Sequence, residues 1–275
     1  MKNSEVLVIG SGFIGTHLYK ALQTDNSVTL ISRSQGFDLS NLSQTKLFFS
    51  NKTFDYIINA TGKVDQSPNI FNASLKDNLI PTLNLLETLN SARLKRLIHL
   101  GSNAEYGTSE VPHSSDTLEL PSSPYGVMKL SATKAVLSMR HVLPVTVVRP
   151  FSVFGPGMSE NTFLAQAIRC AKENRVFRMT DGEQTRDFIP VESLVADIRE
   201  IAISDSTLGK VVNSCSGIEF SLNRVIELLT CIYPSFSVER SIEPRVGENR
   251  RSVGVPWRAL SEDYIKEAIS EFARK

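Results

Sequence analysis

The chain opens with Glu5-Val6-Leu7-Val8-Ile9, which runs straight into Gly10-Ser11-Gly12-Phe13-Ile14-Gly15, and few sequence features restrict a fold so strongly. A short β-branched run that is apolar on both faces reads as a buried parallel strand. Phe13, Ile14, Leu18, Ala21 and Leu22 then follow helical spacing. The unit is therefore strand, glycine turn, helix, the context in which GxGxxG marks a dinucleotide site. Gly10 allows the tight turn, Gly12 lets a pyrophosphate approach the backbone at the helix N-terminus, and Gly15 lets the helix pack close to the strand. Phe13 and Ile14 belong to the same turn and are counted with the cofactor-lining residues. The alternative is a glycine turn with no ligand.

The second strand, Ser27-Val28-Thr29-Leu30-Ile31, ends in Ser32-Arg33-Ser34. An NAD site usually carries an acid here to hold the ribose 2′-hydroxyl. A hydroxyl and a guanidinium suit a 2′-phosphate instead, so the expected cofactor is NADP(H) rather than NAD(H), with Arg33 as its clamp and Ser32 among the cofactor-binding residues. The alternative for Arg33 is a side chain pointing into solvent.

Phe54 to Ala60 reads as a third buried strand running into Thr61-Gly62, Pro81 to Leu89 as a helix, Leu94 to Leu100 as a strand, and Val145 to Val148 as another. Alternation of this kind predicts an α/β fold, a Rossmann-type doubly wound parallel sheet with helices on both faces. The ligand crevice of such a sheet lies beyond the carboxyl ends of the strands. Ala60, Thr61, Gly62 and Pro150 are placed there with the cofactor. A domain of residues 1–152 is expected to bind the dinucleotide. Residues 153–275 are expected to form mainly a smaller α/β substrate lobe, with some segments returning to the sheet. Ser221 to Cys231 and Glu262 to Phe272 have helical spacing and are assigned to that lobe.

With 275 residues, 41% of them hydrophobic, the chain can bury a full core. A formal net charge of +1, with both signs interspersed, offers no basic stripe for nucleic acid or anionic lipid. Cys170, Cys215 and Cys231 are odd in number and lack metal or redox spacing, so no metal site is expected and reduced thiols are. The N-terminal apolar run is too short for a signal sequence or membrane span. A soluble cytoplasmic protein is expected.

Ser123-Pro124-Tyr125-Gly126-Val127-Met128-Lys129 sets a tyrosine and a lysine one helical turn apart, on one face. An ammonium near a phenol favours the phenolate, so the spacing predicts a phenol pulled from about 10 toward neutrality. Alone, such a pair is more often surface decoration than chemistry. Ser102 stands at the rim after the strand that ends at Leu100, where a serine alone is usually a turn residue.

Together, Gly12-Phe13-Ile14-Gly15, Gly101-Ser102-Asn103-Ala104-Glu105-Tyr106-Gly107 and Ser123 to Lys129 resemble the extended short-chain dehydrogenase/reductase superfamily, in its nucleotide-sugar branch. The resemblance covers residues 6 to about 250. It implies that Ser102, Tyr125 and Lys129 form the catalytic set, that Asp38 and Leu39 contact adenine, and that Asn78 lies near the nicotinamide. Arg149-Pro150-Phe151-Ser152-Val153-Phe154-Gly155-Pro156-Gly157 is similar to a family motif in which an asparagine, here Ser152, contacts the substrate diphosphate. Asp181 to Ile189 resembles another motif, which implies that Arg186 meets the sugar nucleotide's phosphates. Arg245-Val246-Gly247-Glu248 resembles a second phosphate-arginine motif. The resemblance also implies a homodimer paired through helices that include the Tyr125 helix. Residues 253–275 depart from the family's usual ending.

The catalytic set implied by the resemblance serves reductases, epimerases and dehydratases alike. Dehydratases of the family carry an Asp-Glu pair directly after the hydroxyl, because eliminating water needs its own acid and base. Asn103 and Ala104 stand there instead and cannot do that work; Asn103 is retained as a substrate contact. An epimerase keeps oxidised cofactor, whereas a net reductase draws on a reduced pool, which suits NADP. The Ser-x-Ala-Glu-Tyr-Gly form around Glu105 also resembles reductases of nucleotide-linked 4-keto-6-deoxyhexoses. The expected activity is therefore NADPH-dependent reduction of such a sugar in deoxysugar biosynthesis. The alternatives are a 4-epimerase with retained NAD and a non-catalytic NADP-binding regulatory or assembly protein.

Overall fold

The computed structural model describes residues 1–65, 67–243 and 249–275. In chain order, the first elements are β1 (Glu5–Ile9), α1 (Phe13–Leu22), β2 (Ser27–Ile31), α2 (Leu42–Phe49) and β3 (Tyr56–Asn59). A short helix α3 (Phe71–Ser74) passes through a single wide turn, Leu75–Leu79, into α4 (Ile80–Thr88). Then come β4 (Arg96–Leu100), α5 (Pro124–Ser138), β5 (Val145–Pro150), β6 (Ser152–Phe154), α6 (Phe163–Lys172), β7 (Phe177–Met179), β8 (Thr185–Arg186) and β9 (Phe188–Pro190). The chain closes with α7 (Val191–Ile201), β10 (Val211–Ser214), β11 (Phe220–Ser221), α8 (Leu222–Ile232), β12 (Val238–Arg240) and α9 (Glu262–Arg274).

The chain divides into two compact units. The first comprises Met1–Ser109, Thr117–Pro150 and Val195–Asn213. Its sheet has the strand order β10-β5-β4-β3-β1-β2, with parallel registers such as Val8 opposite Leu30 on one side and Ile58 on the other. Every residue of β3, β4 and β5 is buried, as expected of parallel strands covered on both faces. From β1 the chain builds outward in one direction to β2 and in the other to β3. This reversal makes the carboxyl ends of β1 and β3 the switch point where ligands bind in such sheets. There the backbone continues the ladder, Gly10 N–H donating to Ile31 O at 2.8 Å and Ala60 N–H to Ile9 O at 2.9 Å.

The second unit comprises Glu110–Asp116, Phe151–Leu194 and Ser214–Lys275. Three two-stranded ribbons, β6-β9, β7-β12 and β8-β11, and helices α6, α8 and α9 surround a core that includes Phe154, Phe177, Phe220, Leu229 and Ile269. At its centre, the fully buried Asp187 carboxylate accepts from Ser216 Oγ (2.6 Å) and from the backbone N–H groups of Ser216, Gly217 and Gly254 (2.7, 3.0 and 3.2 Å), tying three distant segments together. Burial raises the Asp187 carboxyl above its usual range against these four donors. None of Cys170, Cys215 and Cys231 is joined in a disulfide. Among the described residues no helix is long and apolar enough to cross a membrane.

Candidate active site

The glycine turn is shaped by close backbone approach. Gly10 has φ +105°, and a Cβ there would sit 2.8 Å from Ala60 O, so neither the conformation nor the space admits a side chain. Around Gly12, by contrast, a Cβ would meet nothing within 4 Å. Helix α1 starts at Gly12 without a side-chain cap and without an acid in its first turn. An uncapped helix N-terminus beside open space fits the pyrophosphate of a dinucleotide.

At the end of β2, Ser32 is buried and its Oγ lies 2.9 Å from Ser34 Oγ and donates to Gln35 Oε1 at 3.2 Å. Ser34 Oγ is also 2.9 Å from Ser11 Oγ in the glycine turn. Arg33 is 57% exposed and ion-pairs with Asp77 at 2.7 Å. Asp77 comes from the wide turn before α4, 44 positions away, and no local sequence signal links the two. Further on, Asp38 Oδ1 accepts from Ser40 N–H (2.9 Å) and Ser40 Oγ (2.8 Å). Burial pushes the Asp38 carboxyl up, but those bonds and the charges of Arg33 and Lys76 outweigh it and hold it below the usual range. Leu39 is buried, and its carbonyl accepts from Asn84 Nδ2 at 2.9 Å.

After β3, Asn59 Oδ1 accepts from the Thr61 hydroxyl at 2.6 Å, and Gly62 adopts φ +141°. Asn78 is buried in the wide turn, accepting from Lys63 N–H at 3.0 Å and donating to Lys63 O and Ser74 Oγ, each at 3.2 Å. Its amide therefore clamps the segment that leaves β3. His99 on β4 lies 3.2 Å from Asn59 Nδ2 through Nδ1. Burial and the Lys129 charge drive its pKa well below the usual value, so it is a neutral ring.

Ser102, Tyr125 and Lys129 come together in the first unit. Ser102 caps the turn Asn103–Glu105, its Oγ accepting from Ala104 N–H at 3.1 Å. Helix α5 is capped by Ser123, which accepts from Gly126 N–H at 3.1 Å, and begins with Pro124. Gly126 makes the meeting possible, because a Cβ there would fall 2.5 Å from Ala104 O. Tyr125 is buried on that first turn, with Ser102 close enough to influence its phenol. Lys129 is buried one turn on and donates from Nζ to Leu100 O.

The electrostatics correct the sequence expectation for this pair. Burial pushes the Tyr125 phenol up to about 12, the Ser102 hydrogen bond pulls it down, and the Glu105 charge adds to the rise. Burial lowers the Lys129 ammonium to about 8, with Glu105 opposing. The i, i+4 spacing put both side chains on one face, but the ammonium goes to the Leu100 carbonyl and desolvation dominates the phenol. Raised this far by burial, the Tyr125 phenol keeps its proton at neutral pH.

Of the remaining residues singled out, Pro150 ends β5 in the first unit. Asn103 is half-buried in the turn that Ser102 caps. Ser152, on β6, and Arg186, on β8, belong to the second unit. Ser152 N–H donates to Asp187 O at 2.9 Å, and Arg186 Nη1 donates to Thr185 O at 2.7 Å. Arg245 lies outside the described residues.

Comparison with known proteins identifies the family of the chain. Residues 6–210 match the model of the NAD dependent epimerase/dehydratase family. GDP-6-deoxy-D-mannose reductase of Pseudomonas aeruginosa is 28% identical over 243 residues, spanning 81% of this chain and 77% of the relative. UDP-N-acetylglucosamine 4-epimerase of Methanobrevibacter ruminantium, solved with UDP-N-acetylmuramic acid, has a TM-score of 0.89 at 25% identity and covers 100% of this chain and 98% of its own. The structure of RMD from Pseudomonas aeruginosa complexed with NADPH has a TM-score of 0.85 at 24% identity, covering 99% and 98%, and shares the fold. With its Rossmann-like sheet, the chain belongs to the NAD-dependent epimerase/dehydratase family of extended short-chain dehydrogenases/reductases, NAD(P)-dependent enzymes that act on nucleotide sugars.

Proposed function

We propose that the chain is an NADPH-dependent reductase of a nucleotide-linked 4-keto-6-deoxyhexose, working in deoxysugar biosynthesis in the cytoplasm. The observation that carries this reading is the burial of Tyr125 and Lys129 on one face of α5 beside the buried Ser102; burial raises the phenol to about 12, so it can supply the proton that reduction of a ketone consumes at the oxygen. Asn103 and Ala104, beside that hydroxyl, supply no acid or base for dehydration. The hydroxyls of Ser11, Ser32 and Ser34 and the Arg33 guanidinium suit a 2′-phosphate, which would displace Asp77 from Arg33. The similar reductase of Pseudomonas aeruginosa adds support.

Held at the Gly10, Gly12 and Gly15 turn, NADPH would supply a hydride for the sugar's C4 carbonyl carbon. Tyr125 gives its phenolic proton to the developing alkoxide. Ser102 donates a hydrogen bond to the same oxygen, stabilising charge as it forms there. Lys129, buried beside Gly62, holds its ammonium against the Leu100 carbonyl, within reach of a cofactor ribose as the resemblance implies. The Gly10, Gly12 and Gly15 turn receives the pyrophosphate, with Asp38 and Leu39 toward the adenine. In the second unit, Ser152 and Arg186 are proposed to contact the diphosphate; Arg245 joins them in this proposal on sequence resemblance alone. The reading also carries a homodimer, inferred from the pairing habit of the family and checked by light scattering.

The test is NADPH oxidation, followed by absorbance, against 4-keto-6-deoxyhexoses linked to GDP, dTDP, CDP and UDP. The reading expects net oxidation with one nucleotide series and formation of a 4-hydroxy sugar. Interconversion of C4 epimers without net oxidation would make the protein an epimerase instead. Tight NADPH binding with no turnover on any sugar would make it a binding protein.

A further inference from the structure

Behind Ser102 lies a charged cluster whose central pair is shut off from solvent. Glu105 and Arg149 side chains are both 0% exposed. Among the described residues, the Glu105 carboxylate is met by donors on both oxygens. Its Oε1 accepts from Ser102 N–H at 2.8 Å and from Thr133 Oγ1 at 3.0 Å. Its Oε2 accepts from Arg149 Nε, with Nη2 also at 2.8 Å. Arg149 in turn pairs with Glu119 at 2.9 Å and lies over the Tyr106 ring, 4.4 Å from its centroid. Tyr106 donates to Asn213 Oδ1 at 2.7 Å, which closes the cluster against β10.

Stability does not account for such a cluster. Desolvating two charges costs about as much as their attraction returns, and well-packed apolar side chains often serve as well. The placement of Oε1 is more informative. Ser102 belongs to the turn after β4, whereas Thr133 lies two helical turns beyond Tyr125 on α5. One oxygen thus joins the backbone that carries the serine to the helix that carries the tyrosine and lysine. Arg149 holds the opposite oxygen in a two-pronged grip, leaving the carboxylate no freedom to turn.

We propose that Glu105 is a positioning residue that sets the separation of the Ser102 hydroxyl from the Tyr125 phenol. The proposal rests on the reading of Ser102 and Tyr125 as the groups that meet the substrate oxygen. Glu105 touches neither substrate nor cofactor; it acts through the Ser102 amide and through α5. A misplacement of about 1 Å in such a pair can cost roughly 10²-fold in rate.

Two double variants separate positioning from charge pairing. Glu105→Gln with Arg149→Met removes both buried charges and keeps an oxygen for Ser102 N–H and Thr133; Glu105→Leu with Arg149→Met removes the oxygen too. With the keto sugar that the wild type reduces, kcat of the Leu pair is expected to fall about 10 to 100-fold below that of the Gln pair, with KM and NADPH Kd alike. Crystal structures of both, read for the Ser102 Oγ to Tyr125 Oη distance, are expected to show displacement in the Leu pair alone. Equal kcat and equal geometry would overturn the proposal and leave Glu105 as a charge partner only. If the wild type reduces no keto sugar, the reductase reading fails, and the crystallographic distance still decides whether Glu105 positions Ser102. Should the double variants not fold, Thr133→Val is expected to lower kcat at constant KM and Thr133→Ser to restore it; no effect of Val would overturn the proposal.

Discussion

Replacing Gly12 with alanine separates folding from binding at the glycine turn. Gly12 has φ −70° and ψ −171°, extended backbone open to any residue. An added methyl would meet no atom within 4 Å. Gly12 is the N-cap of α1, where alanine caps less well than glycine, but the stiffer unfolded chain offsets that by about 0.4 to 1 kcal/mol, so little net change in stability is expected. The same methyl projects where a pyrophosphate must approach the N-terminus of α1. Losing that approach is expected to weaken NADPH by about 10 to 100-fold, or roughly 1.4 to 2.7 kcal/mol. Thermal melting of the apo protein and a fluorescence titration with NADPH measure the two effects. An unchanged Kd would refute placement of the pyrophosphate over Gly12. A large fall in melting temperature would refute the claim that the space there serves a ligand rather than packing.

Four further perturbations address the neighbouring groups. Tyr125→Phe should leave NADPH binding nearly intact and cut turnover by about 10² to 10⁴-fold, a loss that steady-state kinetics reads directly. Arg33→Ala should weaken NADPH far more than NADH in parallel titrations; an equal effect would remove the case for a 2′-phosphate clamp. Gly126→Ala places a Cβ 2.5 Å from Ala104 O, so α5 must retreat. The expected overpacking cost is about 1 to 3 kcal/mol, partly offset by about 1 kcal/mol of helix propensity, so kcat should suffer more than the urea midpoint. Lys129 binds its proton less tightly when folded, at about 8, than at its unfolded value of 10.5. The unfolded chain therefore holds more protons in that window, and this group makes stability rise with pH across it. The stability of wild type relative to Lys129→Met, from urea melts, should accordingly shift in favour of wild type from pH 8 toward pH 10.5, as the cost of the buried charge is relieved.

What was legible in the sequence was local. The run Glu5 to Ile9, the glycines at 10, 12 and 15, and the helical spacing from Phe13 to Leu22 encode β1, the turn and α1 within one short window, and the structure reproduces each. The helices beginning near Ser221 and Glu262 were legible for the same reason. Helices α2, α6 and α7 and strand β10 were not singled out, and β10 joins the sheet beside β5 only through long-range pairing. Ser102 and Tyr125 looked ordinary one at a time, and only the family resemblance brought them together. Spacing reports which face a side chain occupies, not how dry that face is, so it points toward a phenolate at Tyr125 where burial keeps the phenol. Partners that tertiary structure alone supplies, Asp77 for Arg33 and Arg149 for Glu105, left no trace because 44 residues separate each pair.

The central claim is that hydride goes from NADPH to the sugar's C4 carbon while Tyr125 protonates the oxygen. Turnover of a nucleotide-linked 4-keto-6-deoxyhexose with NADPH deuterated at nicotinamide C4 tests it most directly, with the product examined by NMR. Using the prochirally labelled cofactor that is consumed, the account expects deuterium at C4 of the product sugar in step with NADPH oxidised, and loss of both with Tyr125→Phe. Product that forms with protium at C4 from either label, or full turnover by Tyr125→Phe, would contradict it.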